Sequence, residues 1–131
     1  MSFGQREFDR QKPEIDFPSH GAPSELLIED IVVGTGDEAT AGKTVSTHYV
    51  GVAFSTGEEF DASWNRGTPL DFRVGIGQVI QGWDQGLLGM KVGGRRRLEI
   101  PSDMAYGASG AGSAIGPNEA LIFVVDLLGV R

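Results

Sequence analysis

The side chains that most often carry chemistry are sparse here, and their spacing is wrong for most of it. The chain has no cysteine, so thiolate nucleophiles, disulfides and cysteine metal sites are excluded. His20 and His48 are the only histidines, and nothing around them has metal-ligand spacing. His48 falls in a strand-like run and reads as a structural or surface histidine. Gly42-Lys43-Thr44 closes a stretch from Gly36 that looks like a phosphate-binding loop, but Asp37 stands where the first glycine belongs. Asp37 and Glu38 would repel phosphate, and the residues after Thr44 read as strand rather than as the helix whose N-terminus holds the anion. Gly75-Ile76-Gly77 opens a dinucleotide fingerprint that fails at Ile80, where Gly or Ala is needed. Ser109 and Ser113 lack the paired glycines of a nucleophile elbow. Arg95-Arg96-Arg97 lies in a strand-like run, where consecutive residues alternate faces; it reads as a solvated strand start, not as one basic patch. With a net charge of -7, phosphate backbones are repelled overall, and no nucleic-acid partner is expected. No metal and no cofactor is expected.

The elements that must position any site are centred on residues 75–89. Ile80, Trp83 and Leu87 recur at helical spacing, so one face is apolar. Gly82 and Gly86 lie inside this stretch, each costing about 1 kcal/mol relative to Ala. Such a helix does not hold alone in water. The two glycines make a bare stripe where a sheet can come close, with Trp83 facing into the fold. Strand character surrounds it, at residues 26–33, 44–54, 59–63, 70–74, 95–100 and 121–130, rich in Val, Ile, Thr and aromatics. No second helix is evident. Residues 102–119 read as a long loop with glycines and alanines interleaved. Tight turns between short strands imply mainly antiparallel pairing. The expected class is α+β: a twisted antiparallel sheet wrapped around one short α-helix.

Residues 1–24 read as an N-terminal arm, broken by Pro13, Pro18, Pro23 and Gly21. Residues 1–10 read as a frayed terminus, whereas residues 14–17 hold apolar groups suited to lying on the domain. Residues 25–131 form the single domain. No apolar run reaches the ~18 residues a membrane span needs, and the N-terminus has no signal-peptide character. A cytoplasmic monomer, without membrane partner, is the expectation.

Several separated segments together resemble the FKBP-type peptidyl-prolyl isomerases. They are Tyr49-Val50-Gly51, Gly57-Glu58-Glu59-Phe60-Asp61-Ala62-Ser63, Gly77-Gln78-Val79-Ile80-Gln81-Gly82-Trp83-Asp84-Gln85-Gly86, Ala105-Tyr106-Gly107 and Pro117-Asn118-Glu119. Order and spacing match across residues 25–131, and Pro13-Glu14-Ile15-Asp16-Phe17-Pro18 looks like the arm of actinobacterial members. The resemblance implies a single-domain FKBP-like fold and cis-trans isomerisation of Xaa-Pro bonds in proline-containing polypeptides. It also implies binding of macrolides such as rapamycin, and no cofactor or covalent intermediate. It implies a shallow apolar pocket for the prolyl ring, with Trp83 as floor and walls of Tyr49, Phe60, Phe72, Val79, Ile80 and Phe123. Asp61 and Tyr106 would be its polar groups, with Arg66 behind Asp61. The N–H of Ile80 would donate to the ligand, and Leu70 and Ile115 would sit at the rim. Catalytic roles would fall to Asp61, Tyr106, Phe60 and Trp83.

Without that resemblance the same residues have blander readings: Trp83, Phe72 and Phe123 as core, Asp61 with Arg66 as a structural pair, Tyr106 as a loop anchor. Ala111, Ala114, Gly116-Pro117 and Leu70 depart from the better-known eukaryotic pattern, and imply less contact to the residue before proline. A prolyl-binding module and a holdase chaperone remain as alternatives. Chaperone members usually carry an inserted apolar domain, and the turn at residues 55–59 has none.

Overall fold

The computed structural model describes residues 11–131. The expectation for residues 1–10 concerns residues outside those described. Six strands, Leu27–Val32 (β1), Thr44–Ala53 (β2), Glu59–Ala62 (β3), Leu70–Arg73 (β4), Arg95–Ile100 (β5) and Leu121–Val130 (β6), form one sheet. Its order is β1-β5-β6-β2-β3, with β4 pairing β2 beyond the reach of β3. Every pairing is antiparallel.

The helix expected around Trp83 is Gln81–Gly86 (α2). A second, Ser63–Arg66 (α1), is one turn long and was not foreseen from the sequence, which gave Ser63 to a strand. Tertiary bonds create it. The fully buried Ser63 hydroxyl accepts the Tyr49 N–H at 2.7 Å and lies 2.8 Å from His48 Nδ1. Gly67, at φ 69°, ends the turn with its N–H on the Trp64 carbonyl. The loop 102–119 also holds two 3-10 turns, Ser102–Met104 and Gly107–Ser109. It is tied to the opposite turn through Glu119, which accepts the Ser55 N–H at 3.1 Å.

The bare stripe on α2 rests on β5. A Cβ on Gly82 would stand 2.5 Å from Ile100 Cγ2, and one on Gly86 would stand 2.9 Å from Leu98 Cδ2. Trp83 and Leu87 therefore enter the main core with Val45, Tyr49, Leu98, Phe123 and Val125. Arg96 steadies the helix end, donating to the Gly86 carbonyl at 2.9 Å and the Leu88 carbonyl at 3.1 Å. This corrects the reading of the three arginines as solvated. Arg95 is paired with Asp126 and Arg96 with Asp30, and Arg97 lies 3.3 Å from Glu99, all three arginines with largely buried side chains. They do alternate faces.

Apart from Asp126, β6 is apolar on both faces because both are covered. Phe123 and Val125 face α2, while Val124 joins Val50 and Ala62 in a smaller cluster under Ile15 of the arm and Trp64. The arm is held further by Lys12, whose ammonium lies 2.6 Å from Glu59, and by Gln11, whose carbonyl accepts from Arg95 at 2.8 Å. Phe17 meets the Phe54 ring edge-on at 6.3 Å.

Two outcomes follow. Ala at position 82 gains about 1 kcal/mol of helix propensity but forces a methyl into fully buried Ile100, an overpacking cost of about 1–3 kcal/mol. Gly82→Ala should therefore lower the urea midpoint, and an increased midpoint contradicts this packing. Lys12, through its bond to Glu59, holds that carboxyl below its ordinary value. A depressed folded value means the pair stabilises above the unfolded pKa and is lost as pH falls through the folded one. Lys12→Ala should cost about 0.5 kcal/mol at neutral pH, a half-exposed pair being screened. The difference from wild type should vanish in acid; a difference independent of pH contradicts it.

Candidate active site

The core opens to solvent over Trp83, in a cavity of about 420 Å³. Trp83 reaches its floor because α2 lies so close to β5, and the side chain is only 4% exposed. Three aromatic rings fix it. Tyr49 meets it edge-on at 5.0 Å and Phe123 at 5.2 Å, while Phe72 is tilted at 5.5 Å. The indole N–H finds no polar partner among the described residues, at a local cost of about 1–3 kcal/mol.

β2 and β6 supply the next layer. Tyr49 on β2 and Phe123 on β6 point to the same face. Phe60 stands at 90° to Phe123, 5.4 Å away. Gly51 makes room for both: a Cβ there would come 2.6 Å from the Phe123 ring and 2.7 Å from that of Phe60. Phe60 and Asp61 are consecutive on β3, yet both line the cavity. A bulge explains it. Gly51 pairs with Asp61 and Val52 with Glu59, leaving Phe60 without a partner. Such an extra residue re-aims side chains that strict alternation would send to opposite faces.

Asp61, Tyr49 and Arg66 close a polar triangle on this wall. The Tyr49 hydroxyl donates to Asp61 Oδ2 at 2.5 Å. Arg66, at the end of α1, donates to Asp61 Oδ1 at 2.7 Å and to the Tyr49 hydroxyl oxygen at 2.9 Å. Burial, and then the bond to Asp61, push the Tyr49 phenol above its ordinary pKa. The bonds to Tyr49 and Asp61 do the same for the Arg66 guanidinium. The phenol thus stays protonated and the guanidinium charged, and the Asp61 carboxylate is held in one orientation by two donors.

The other wall comes from the segment before α2. Val79 and Ile80 line the cavity, as do Leu70 on β4 and Tyr106 across the mouth. The Ile80 carbonyl accepts the Trp83 N–H at 2.9 Å and the Asp84 N–H at 3.1 Å, starting the helix. Its own N–H has no partner among the described residues, and the same holds for the half-exposed Tyr106 hydroxyl.

Nine of the residues singled out in the sequence thus meet at one cavity. Phe72, Arg66 and Ile115 are not in its lining. Phe72 backs the floor and Arg66 backs Asp61, whereas Ile115, expected at the rim, is buried in the main core. Gly77 and Gln78 line the cavity although no role was assigned to them. Their place directly before Val79 was the signal. Among the described residues no cluster of histidine, cysteine or carboxylate side chains could hold a metal, and no helix is long and apolar enough to cross a membrane.

Comparison with known proteins identifies the family. Residues 36–128 match the family model of the FKBP-type peptidyl-prolyl cis-trans isomerases. An FK506-binding protein of Streptomyces anulatus is 66% identical over 92% of this chain and 98% of its own length. A probable FK506-binding protein of Corynebacterium glutamicum is 49% identical over 90% and 98%. Among solved structures, AtFKBP13 superposes with a TM-score of 0.76 at 44% identity, over 84% of this chain and 96% of the other. A peptidyl-prolyl isomerase from Pseudomonas syringae pv. tomato gives 0.72 at 40% identity, over 81% and 75%. The chain belongs to the FKBP-type peptidyl-prolyl cis-trans isomerases.

Proposed function

We infer that the cavity over Trp83 receives the prolyl ring of a polypeptide and lowers the barrier to rotation about its Xaa-Pro bond by desolvation and positioning alone. The observation that carries this reading is the cavity's aromatic floor and walls, Trp83, Tyr49, Phe60 and Phe123, with Asp61 and Tyr106 beside them in the lining. Amide resonance sets the barrier at about 18–20 kcal/mol. In the transition state the amide is twisted, resonance is lost and charge separation at the carbonyl falls. Water hydrogen-bonds best to the planar, polar amide, so an environment that removes water disfavours the ground state more than the twisted one.

The polar groups then act as orienting contacts. The Ile80 N–H and the Tyr106 hydroxyl, unclaimed within the described residues, hold substrate carbonyls on either side of the proline. Asp61, fixed by Tyr49 and Arg66, sets a negative edge beside the twisting amide. Groups that bind only the twisted form raise the rate, while uniform binding does not. No step transfers a proton or forms a covalent bond, so the mechanism needs no cofactor. Relatives carry the name FK506-binding protein, and the cavity is read as taking macrolides of that kind, including rapamycin, in place of the prolyl ring.

NMR exchange between cis and trans forms of a short Leu-Pro peptide, with catalytic protein and with or without excess rapamycin, tests this. Acceleration abolished by the macrolide is expected. Acceleration that persists under saturating macrolide removes the cavity from catalysis, and macrolide binding without acceleration leaves recognition only. Tyr106→Phe removes one hydroxyl from a half-exposed ring and should leave the Tm in place. It should reduce kcat/KM by about fivefold, equivalent to about 1 kcal/mol. An unchanged kcat/KM excludes the hydroxyl from the mechanism.

A further inference from the structure

One carboxylate beside the floor carries more than its own helix. Asp84 follows Trp83 on α2, and its two oxygens accept two backbone N–H groups: Oδ1 takes Gly75 at 2.8 Å and Oδ2 takes Gly77 at 2.7 Å. Both glycines are left-handed, at φ 82° and 84°, a conformation other residues rarely hold. Loops that pass through this region present N–H groups to a single anion. Neither N–H has another partner among the described residues.

Packing holds the start of the loop, where a Cβ on Gly75 would stand 3.1 Å from the Ala41 Cβ, and not its tip. A Cβ on Gly77 would find nothing within 4 Å, and Ile76 is half exposed. A further hydrogen bond comes from Gln78, whose Oε1 accepts the Arg73 N–H at 2.8 Å. At the other end, the Asp84 N–H donates to the Ile80 carbonyl at 3.1 Å. The Asp84 carboxylate thus fixes the start of residues 75–80, while the helix's own backbone bond fixes their end, and that segment carries Gln78, Val79 and Ile80 of the cavity wall.

The geometry points to Asp84 as a positioning residue of the isomerase site: its carboxylate sets the wall at residues 77–80 against the Trp83 floor before substrate arrives. This rests on the reading of the cavity as the prolyl site. Asp84 is not in the cavity's lining. A loosened wall leaves only part of the population competent, so apparent affinity falls by that fraction while turnover of the bound complex is kept. The signature is a change in KM and not in kcat, which a loss of folded protein does not produce.

Asp84→Asn is the first variant, because its single amide oxygen accepts one N–H and its NH2 group confronts the other. Peptide exchange by NMR should show KM raised about tenfold, kcat within about twofold, and rapamycin affinity lowered in step with KM. The amide protons of Gly75 and Gly77 should exchange with solvent at least about tenfold faster. Asp84→Glu and Asp84→Gln form the second pair, equal in length and differing in the second acceptor oxygen. Glu should stay within about threefold of wild type in KM, and Gln should fall with Asn. If Asn does not fold, the Glu and Gln pair decides. An unchanged KM in Asn, or equal KM in Glu and Gln, overturns the assignment. Wild-type catalysis that rapamycin fails to block instead removes the prolyl-site reading, and the positioning role falls with it.

Discussion

The close approach of α2 to β5 is the constraint on which the rest depends. Two glycines allow it, with Ile100 and Leu98 filling the space their side chains would take. The same glycines make the helix unstable on its own, so its existence is a property of the sheet. Once the helix lies flat, Trp83 has one position available. It is boxed by Tyr49, Phe72 and Phe123 from three different strands. Removing the indole would leave a large void in the main core, so fold and floor cannot be separated by truncating it.

Around that floor the molecule divides its polar groups by rigidity. The Tyr49–Asp61–Arg66 triangle closes on itself, so no member depends on substrate for its orientation. Its carboxylate and guanidinium are substantially exposed, which keeps the pair modest as a contribution to stability. Its value lies in direction: a carboxylate with two fixed donors cannot swing away from the cavity. By contrast, the Ile80 N–H and the Tyr106 hydroxyl have no internal partner among the described residues. An unpaired donor at a water-exposed mouth costs little, and it gains once a ligand excludes the water.

Much of this was legible in the sequence. The helical spacing of Ile80, Trp83 and Leu87, with bare positions at Gly82 and Gly86, gave both the helix and the face that meets the sheet. The strands were visible from β-branched and aromatic runs. What escaped was tertiary in origin. α1 is a single turn set by the buried Ser63 hydroxyl, which no local periodicity encodes. Arg95, Arg96 and Arg97 look solvated as a run, and are covered because acids on β1, β5 and β6 and the end of α2 lie beside them. Phe60 and Asp61 share a face only through a bulge, a register shift that composition does not reveal. Ile115, read as rim, is core, held there past both turns of its loop by a bridge to Ala111. The docking of Ile15 follows the apolar character of residues 14–17, whereas the pairing of Lys12 with Glu59 depends on a partner distant in sequence.

The proposed mechanism makes one chemical commitment: rotation is eased by an apolar, preorganised surrounding, and no proton changes hands. The solvent isotope effect on kcat/KM for a Leu-Pro peptide, measured in H2O and D2O at matched pL, tests that commitment most directly. The account predicts a ratio near unity. A normal effect of about twofold or more, reporting proton transfer in the rate-limiting step, would contradict it and would make Asp61 or Tyr106 a general acid or base.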